Sequence, residues 1–217
     1  MNKVALIAGS SGLTGGFLLE MLLAAPEYRE VIAYVRKRSG LQHPKLREVV
    51  MDWDQLDAPV PADDVFCCLG TTIQKEGSQV AFRNVDYDYP LHLAELQLQG
   101  GSQQFLLVSA IGADAQSSIF YSRVKGELEE ALQKTGYKCL QIFRPSFIPG
   151  HRKESRPCER IGLANFTILS PLFNGPLKKY APIPAEHIAR AMYRAAQKNN
   201  AGNFMYDSAE IDAMGRA

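Results

Sequence analysis

Val4-Ala5-Leu6-Ile7-Ala8-Gly9-Ser10-Ser11-Gly12-Leu13-Thr14-Gly15-Gly16-Phe17-Leu18-Leu19 decides how this chain reads. An apolar run without alternation makes a strand buried on both faces. The bend behind it holds Gly9, Gly12 and Gly15 in a G-x-x-G-x-x-G spacing, and an apolar helix opens at Leu13. A helix start leaves backbone N–H groups unpartnered and carries the positive end of the helix dipole. Glycines let an anion approach that backbone with no Cβ in the way. Gly9, Ser10, Ser11, Gly12, Leu13, Thr14 and Gly15 would therefore cradle a pyrophosphate in the first βα turn of a doubly wound sheet. The same glycines also suit tight strand-to-helix packing, so the turn is weighed together with the basic cluster at 36–38 and the Tyr121–Lys125 pair.

The chain has 217 residues, enough for one α/β domain with a full core. Apolar residues make up 46% and charged residues 22%, as in ordinary globular proteins. A net charge of +1, from 24 basic and 23 acidic side chains, argues against a nucleic-acid or membrane partner. No run reaches the roughly 18 residues of a membrane span. No charged leader with a cleavage site is read either, so a cytoplasmic, reduced protein is expected. Cys67, Cys68 and Cys139 sit in apolar segments and read as small buried hydrophobes. Neither they nor Cys158 have disulfide or metal-ligand spacing. His43, His92, His151 and His187 are scattered, so no metal site is expected.

Strand and helix signals alternate, the signature of a parallel sheet covered on both faces. The expected strands are Val4–Ala8, Val31–Val35, Arg47–Met51, Val65–Leu69, Phe105–Ser109 and Lys138–Phe143, with Phe204–Tyr206 as a candidate last strand. The expected helices are Leu13–Ala24, Val80–Leu98, Phe120–Lys134 and Ala185–Gln197. Residues 145–184 hold seven of the twelve prolines and read as a small substrate-capping excursion, not a second domain. The architecture expected is a single three-layer α/β/α domain over residues 1–217.

The second strand ends in Arg36-Lys37-Arg38 rather than in the acid that binds the ribose hydroxyls of NAD. Guanidinium groups at Arg36 and Arg38 suit a 2′-phosphate, which favours NADP(H). Asp52 and Trp53 end the third strand, placing a carboxylate and an apolar wall for an adenine. Leu69, Gly70 and Thr71 end the fourth, where Gly70 gives a ribose close access to the backbone. Tyr121 and Lys125 form a Y-x-x-x-K pair on one helical face. A neighbouring ammonium favours a phenolate, making such a tyrosine a usable proton donor near neutral pH. Ser109, closing the fifth strand, could polarise a substrate carbonyl from the other side.

In these features the chain resembles the short-chain dehydrogenase/reductase superfamily, in its atypical branch, and within it the Tat-interacting-protein oxidoreductase-like family. Phe66-Cys67-Cys68-Leu69-Gly70-Thr71-Thr72, Tyr121-Ser122-Arg123-Val124-Lys125-Gly126-Glu127, Phe143-Arg144-Pro145 and Arg152-Lys153-Glu154-Ser155-Arg156-Pro157 carry the resemblance. Ile183-Pro184 and Ala189-Arg190-Ala191-Met192 extend it toward the end of the chain. The resemblance implies a Rossmann domain that binds NADP(H), with Ser109, Tyr121 and Lys125 as the catalytic triad. It sets the backbone at Pro145, Ser146 and Phe147 beside the nicotinamide. Extended members carry an Asn in the helix after the fourth strand; Asn84 fits approximately, and its role is left open. The function implied is hydride transfer between NADPH and a small carbonyl-type substrate. The alternative is a dinucleotide-responsive regulatory protein without turnover, with a protein partner gripped by the basic loop 150–157. Monomer and homodimer are both compatible with the sequence.

Overall fold

β1 (Lys3–Ala8) occupies an inner position of the sheet, which explains why its sequence does not alternate. Ala5 and Ile7 pack into one apolar layer, while Val4, Leu6 and Ala8 pack into the other. Parallel strands covered by helices on both faces need apolar side chains at every position. The computed structural model describes residues 3–149, 181–198 and 200–217.

After β1 come α1 (Leu13–Ala24), β2 (Tyr28–Val35), β3 (Leu46–Val50) and β4 (Asp64–Cys67). Two short helical turns, α2 (Ile73–Glu76) and α3 (Gln79–Arg83), lead to α4 (Tyr89–Gln99). β5 (Gln104–Val108), α5 (Phe120–Gln133) and β6 (Cys139–Phe143) follow, then α6 (Ala185–Ala196), β7 (Gly202–Tyr206) and α7 (Ser208–Arg216). The seven strands are parallel throughout, in the order β3-β2-β1-β4-β5-β6-β7. Leu18 and Leu22 of α1, Ile188 and Met192 of α6 and Ile211 of α7 cover one face. Leu93 and Leu96 of α4 with Leu128 and Leu132 of α5 cover the other. This is the doubly wound α/β/α architecture that the sequence implied.

Three differences have physical causes. The helix expected over Val80–Leu98 is interrupted at Asn84–Asp88 by a π-turn, in which the Tyr89 N–H reaches back to the Asn84 carbonyl. Pro90 comes directly after; it has no N–H to donate and its ring crowds the carbonyl one turn back, so the helix restarts around it. β2 begins at Tyr28, ahead of the apolar run, because the Tyr28 hydroxyl donates to buried Asp64 at 2.6 Å. Helix α7 has no counterpart among the expected elements. Its signal lies in Asp207-Ser208-Ala209-Glu210, a capping box in which Asp207 accepts from the Glu210 N–H and Glu210 accepts from the Asp207 N–H.

At the amino ends of the strands lies a buried polar cluster. Asp64 accepts from Tyr28, from Lys3 at 3.1 Å and from Gln104 at 3.0 Å. Burial and the Asp64 carboxylate both push the Tyr28 phenol upward, so it stays a donor. The opposite edge, at the carboxyl ends of the strands, is where the loops expected to carry the chemistry converge.

Candidate functional site

The glycine bend divides its work. Gly9 has φ +88°, and a Cβ there would stand 2.5 Å from the Cys68 carbonyl oxygen, so the bend requires glycine for the chain's own packing. A Cβ on Gly15 would likewise collide with the Gly9 carbonyl. Gly12 is different: it is exposed, and its Cβ would meet only the Gly9 oxygen, at 3.2 Å. Two of the three glycines thus serve packing, and Gly12 presents the surface. Gly12 caps α1 without any side-chain hydrogen bond, and no acid lies in the helix's first turn. The first intrahelical bond there runs from Gly16 N–H to the Gly12 carbonyl. The N–H groups of Leu13, Thr14 and Gly15 therefore lack intrahelical acceptors and a competing carboxylate.

Arg36, Lys37 and Arg38 stand exposed in the turn after β2, with no side-chain partner among the described residues. The nearby acid, Glu48 of β3, is engaged by the Ser39 N–H at 3.1 Å and the Ser39 hydroxyl at 2.5 Å. Asp52 precedes a short 3-10 turn over Trp53–Gln55 and caps it, accepting from the Asp54 N–H at 3.1 Å and Gln55 Nε2 at 2.8 Å. Trp53 stacks on Tyr89, ring centroids 5.6 Å apart, and meets Tyr34 edge-on. The adenine wall read from the sequence thus has one face already covered by Tyr89.

The tyrosine–lysine pair lies on α5 beside β4. Lys125 is buried and its Nζ pairs with Asp86 Oδ1 at 2.7 Å. Burial pushes the ammonium toward losing its proton, but the Asp86 carboxylate, aided by Tyr121, outweighs this and holds its pKa above the ordinary lysine value. Asp86 Oδ2 accepts the Thr71 N–H at 2.8 Å, tying the pair to the loop after β4. Tyr121 is 38% exposed, with its ring tilted against buried Phe82 at 5.7 Å. The structure thus brings Gly70, Thr71, Tyr121 and Lys125 together and adds Asp86, which the sequence reading missed. The available signal was an Asp in a helix of the right phase, too common to single out.

Ser109 follows β5 as expected, but its hydroxyl donates to Glu129, a buried carboxylate that also accepts from Arg144 Nε at 3.0 Å. Its proton is therefore spent inside the protein. Ser146 is similarly engaged: its N–H donates to Ser208 Oγ at 3.1 Å and its hydroxyl to the Ala181 carbonyl. The Pro145 carbonyl accepts from Ile111 N–H at 2.9 Å. Phe147, 39% exposed, is the open member of that trio. Asn84 donates its side-chain amide to the Val80 carbonyl at 3.1 Å and to Asp88 at 3.2 Å. Burial pushes the Cys67 thiol up to about 11 and raises that of Cys68, in keeping with inert packing roles. The basic loop 150–157, most of the 145–184 excursion, His151 and Cys158 lie outside the described residues.

No family model matches the chain. Protein HTATIP2 of Rattus norvegicus is 39% identical over 165 residues, covering 73% of this chain and 68% of that protein. Protein fmp52, mitochondrial, of Aspergillus clavatus is 31% identical over 221 residues, covering 97% and 94%. Among solved structures, human epimerase family protein SDR39U1 with NADPH superposes with TM-score 0.64 at 15% identity, over 98% of this chain and 80% of that one. MoeE5 in complex with UDP-glucose and NAD gives TM-score 0.68 at 15% identity, over 97% and 80%. At that identity the likeness establishes the fold alone, a Rossmann fold. The fungal relatives are named as mitochondrial proteins, which overturns the expectation of a cytoplasmic one. Compartment is set by addresses that receptors read, and a balanced composition carries no such information. What composition does convey is narrower: no helix among the described residues is long and apolar enough to cross a membrane. With these relatives alongside the parallel sheet, the glycine bend and the Tyr121–Lys125 pair, the chain belongs to the HTATIP2/fmp52 family of Rossmann-fold proteins.

Proposed function

We propose that this protein binds NADP(H) across the carboxyl edge of its sheet and transfers hydride between NADPH and a small carbonyl-type substrate. The observation that carries the reading is the exposed, uncapped start of α1 at Gly12 on the same sheet edge as Tyr121 and Lys125. Leu13, Thr14 and Gly15 offer N–H groups to the pyrophosphate, with Ser10 and Ser11 at its flank. Arg36 and Arg38 take the 2′-phosphate, since neither has a competing side-chain partner among the described residues. Asp52 and Trp53 border the adenine; Leu69, Gly70 and Thr71 border the nicotinamide ribose. Pro145, Ser146 and Phe147 border the nicotinamide, mainly through Phe147.

When bound, the dinucleotide supplies the hydride. Tyr121 gives its phenolic proton to the oxygen of the reduced carbonyl, in a half-exposed position that a substrate can reach. Lys125 holds the ribose and keeps positive charge beside that phenol. Ser109 can orient the substrate oxygen only by turning away from Glu129. That engagement favours a second reading, a dinucleotide-responsive regulator without turnover.

Titration of protein fluorescence with NADPH and NADH tests the binding claim. Wild type should prefer NADPH, and Arg36→Ala should lose about tenfold in NADPH affinity with little change for NADH. Equal affinity for both coenzymes would remove the 2′-phosphate argument. Tyr121→Phe should keep NADPH binding and lose reduction of any aldehyde or ketone that the wild type turns over. If the wild type binds NADPH yet reduces no member of a carbonyl panel, the regulatory reading stands instead.

A further inference from the structure

The π-turn at Asn84–Asp88 lies over the Tyr121–Lys125 pair. Widening a helix by one residue re-aims the side chains beyond it, and such turns concentrate at functional sites. Here it carries Asp86 into the interior, where the residue is 1% exposed. One carboxylate oxygen meets Lys125 Nζ at 2.7 Å, and the other accepts the Thr71 N–H at 2.8 Å. A Cβ on Gly70 would stand 3.6 Å from Asp86 Oδ1 and 3.9 Å from Lys125 Nζ, so the pair lies directly beneath the Gly70 backbone. Asp86 therefore holds two parts of the site at once: the loop after β4 and the lysine on α5.

Stability alone is a poor explanation. Burying two charges costs several kcal/mol per ion, and apolar replacements of such pairs are often neutral or stabilising. The pair sits instead beside an exposed tyrosine, and an ammonium has three N–H donors. Asp86 answers its charge at 2.7 Å, and the N–H donors can serve a phenol and a ribose. Asn84, the residue whose type suggested a role, is turned to Val80 and Asp88.

We propose that Asp86 is the positioning residue of this site: it fixes the Lys125 ammonium between Tyr121 and Gly70, so that coenzyme and proton donor share one preset cation. The inference rests on the coenzyme reading above and adds to it the residue that keeps Lys125 in place. The titratable groups around Lys125 are Asp86 from the π-turn, Tyr121 from α5 itself and Cys67 from β4. Cys67 is buried with a raised pKa, so Asp86 is the anion that matters near neutral pH.

The decisive measurement is an NMR titration of protein labelled with 13C at the lysine ε-carbons, the Lys125 signal being assigned by its loss in Lys125→Met. In wild type that signal should stay in its charged form beyond the pH at which an ordinary lysine deprotonates, while in Asp86→Asn it should titrate clearly below that of the wild type. NADPH affinity, flat with pH in wild type, should fall about tenfold in Asp86→Asn across the interval where its lysine deprotonates. Should Asp86→Asn fail to fold, the double variant Asp86→Asn/Lys125→Met removes the uncompensated charge, and it should fold yet bind NADPH about tenfold more weakly than wild type. An unchanged Lys125 titration in Asp86→Asn, or undiminished NADPH affinity in the double variant, overturns the proposal. A wild type that binds neither NADPH nor NADH would instead defeat the coenzyme reading, and the lysine titration would still judge Asp86.

Discussion

Glu129 is a buried carboxylate that stays tolerable because two neighbours answer its charge. The Ser109 hydroxyl donates to one oxygen, and the Arg144 guanidinium spans both. This network joins the end of β5, the middle of α5 and the end of β6. Ser109→Ala removes a donor to a charged buried acceptor, which should cost about 1.5–3 kcal/mol of stability. Denaturant unfolding reads that loss as a lower midpoint at unchanged slope. Affinity for NADPH should be unaffected, since the hydroxyl points at Glu129 rather than outward. A variant that kept its stability but lost turnover would return Ser109 to the reaction itself. At the glycine bend, the residue scale separates two demands that share one motif. Gly9 and Gly15 are fixed by neighbouring backbone, whereas Gly12 faces solvent.

Among the elements, α7 shows how a terminal helix is held. Its N-terminus carries the Asp207–Glu210 capping box, and its length packs against α6. Across that contact His187 Nδ1 lies 2.8 Å from Asp212 Oδ1, and Arg190 and Arg194 donate to the Gly215 and Met214 carbonyls. Burial opposes ionisation of Asp212, but hydrogen bonds from His187 and Arg216 outweigh it and hold its pKa below the ordinary value. A carboxyl depressed in the folded state adds stability above its unfolded value, about 4. That contribution is lost as pH falls through the lower folded value. Asp212→Asn should therefore weaken α7 docking by about 1 kcal/mol at neutral pH, a figure kept small because Arg216 is largely exposed. The variant should also lose the acid-dependent part of that docking. Amide exchange in α7, compared from about pH 3 to 6, reads both effects. Exchange identical to wild type would mean that the arginine–carbonyl contacts suffice.

Among the described residues, two polar groupings lie at opposite edges of the sheet. At the amino edge, buried Asp64 accepts from Lys3, Tyr28 and Gln104. At the carboxyl edge, the α1 start and the Arg36–Arg38 turn face outward with donors and charges unused by side chains among the described residues. A dinucleotide laid there, as proposed, would touch elements from β1 to α5 and would bind only the assembled sheet. Its binding should stabilise the fold by about 2.7 kcal/mol at one hundred times Kd. For a chain of this size that is a rise of about 5–10 °C in melting temperature. A melting temperature that ignores NADPH at saturating concentration would count against the edge as a dinucleotide site.

What was legible in the sequence was what short-range chemistry fixes. Doubly buried strands must be apolar throughout, glycine must stand where the bend turns left-handed at Gly9, and Tyr121 and Lys125 share a face because a helix repeats every 3.6 residues. The Asp207 capping box is equally local, though it lies beyond the last helix that periodicity marks. What only the tertiary structure decided was partnership between distant segments: Asp86 with Lys125, Ser109 with Glu129 and Arg144, Trp53 with Tyr89. The π-turn belongs with these, because Pro90 forbids a regular helix but does not choose which side chain turns inward. Periodicity and sterics act within a few residues, whereas a buried charge finds its counter-charge through the path of the whole chain.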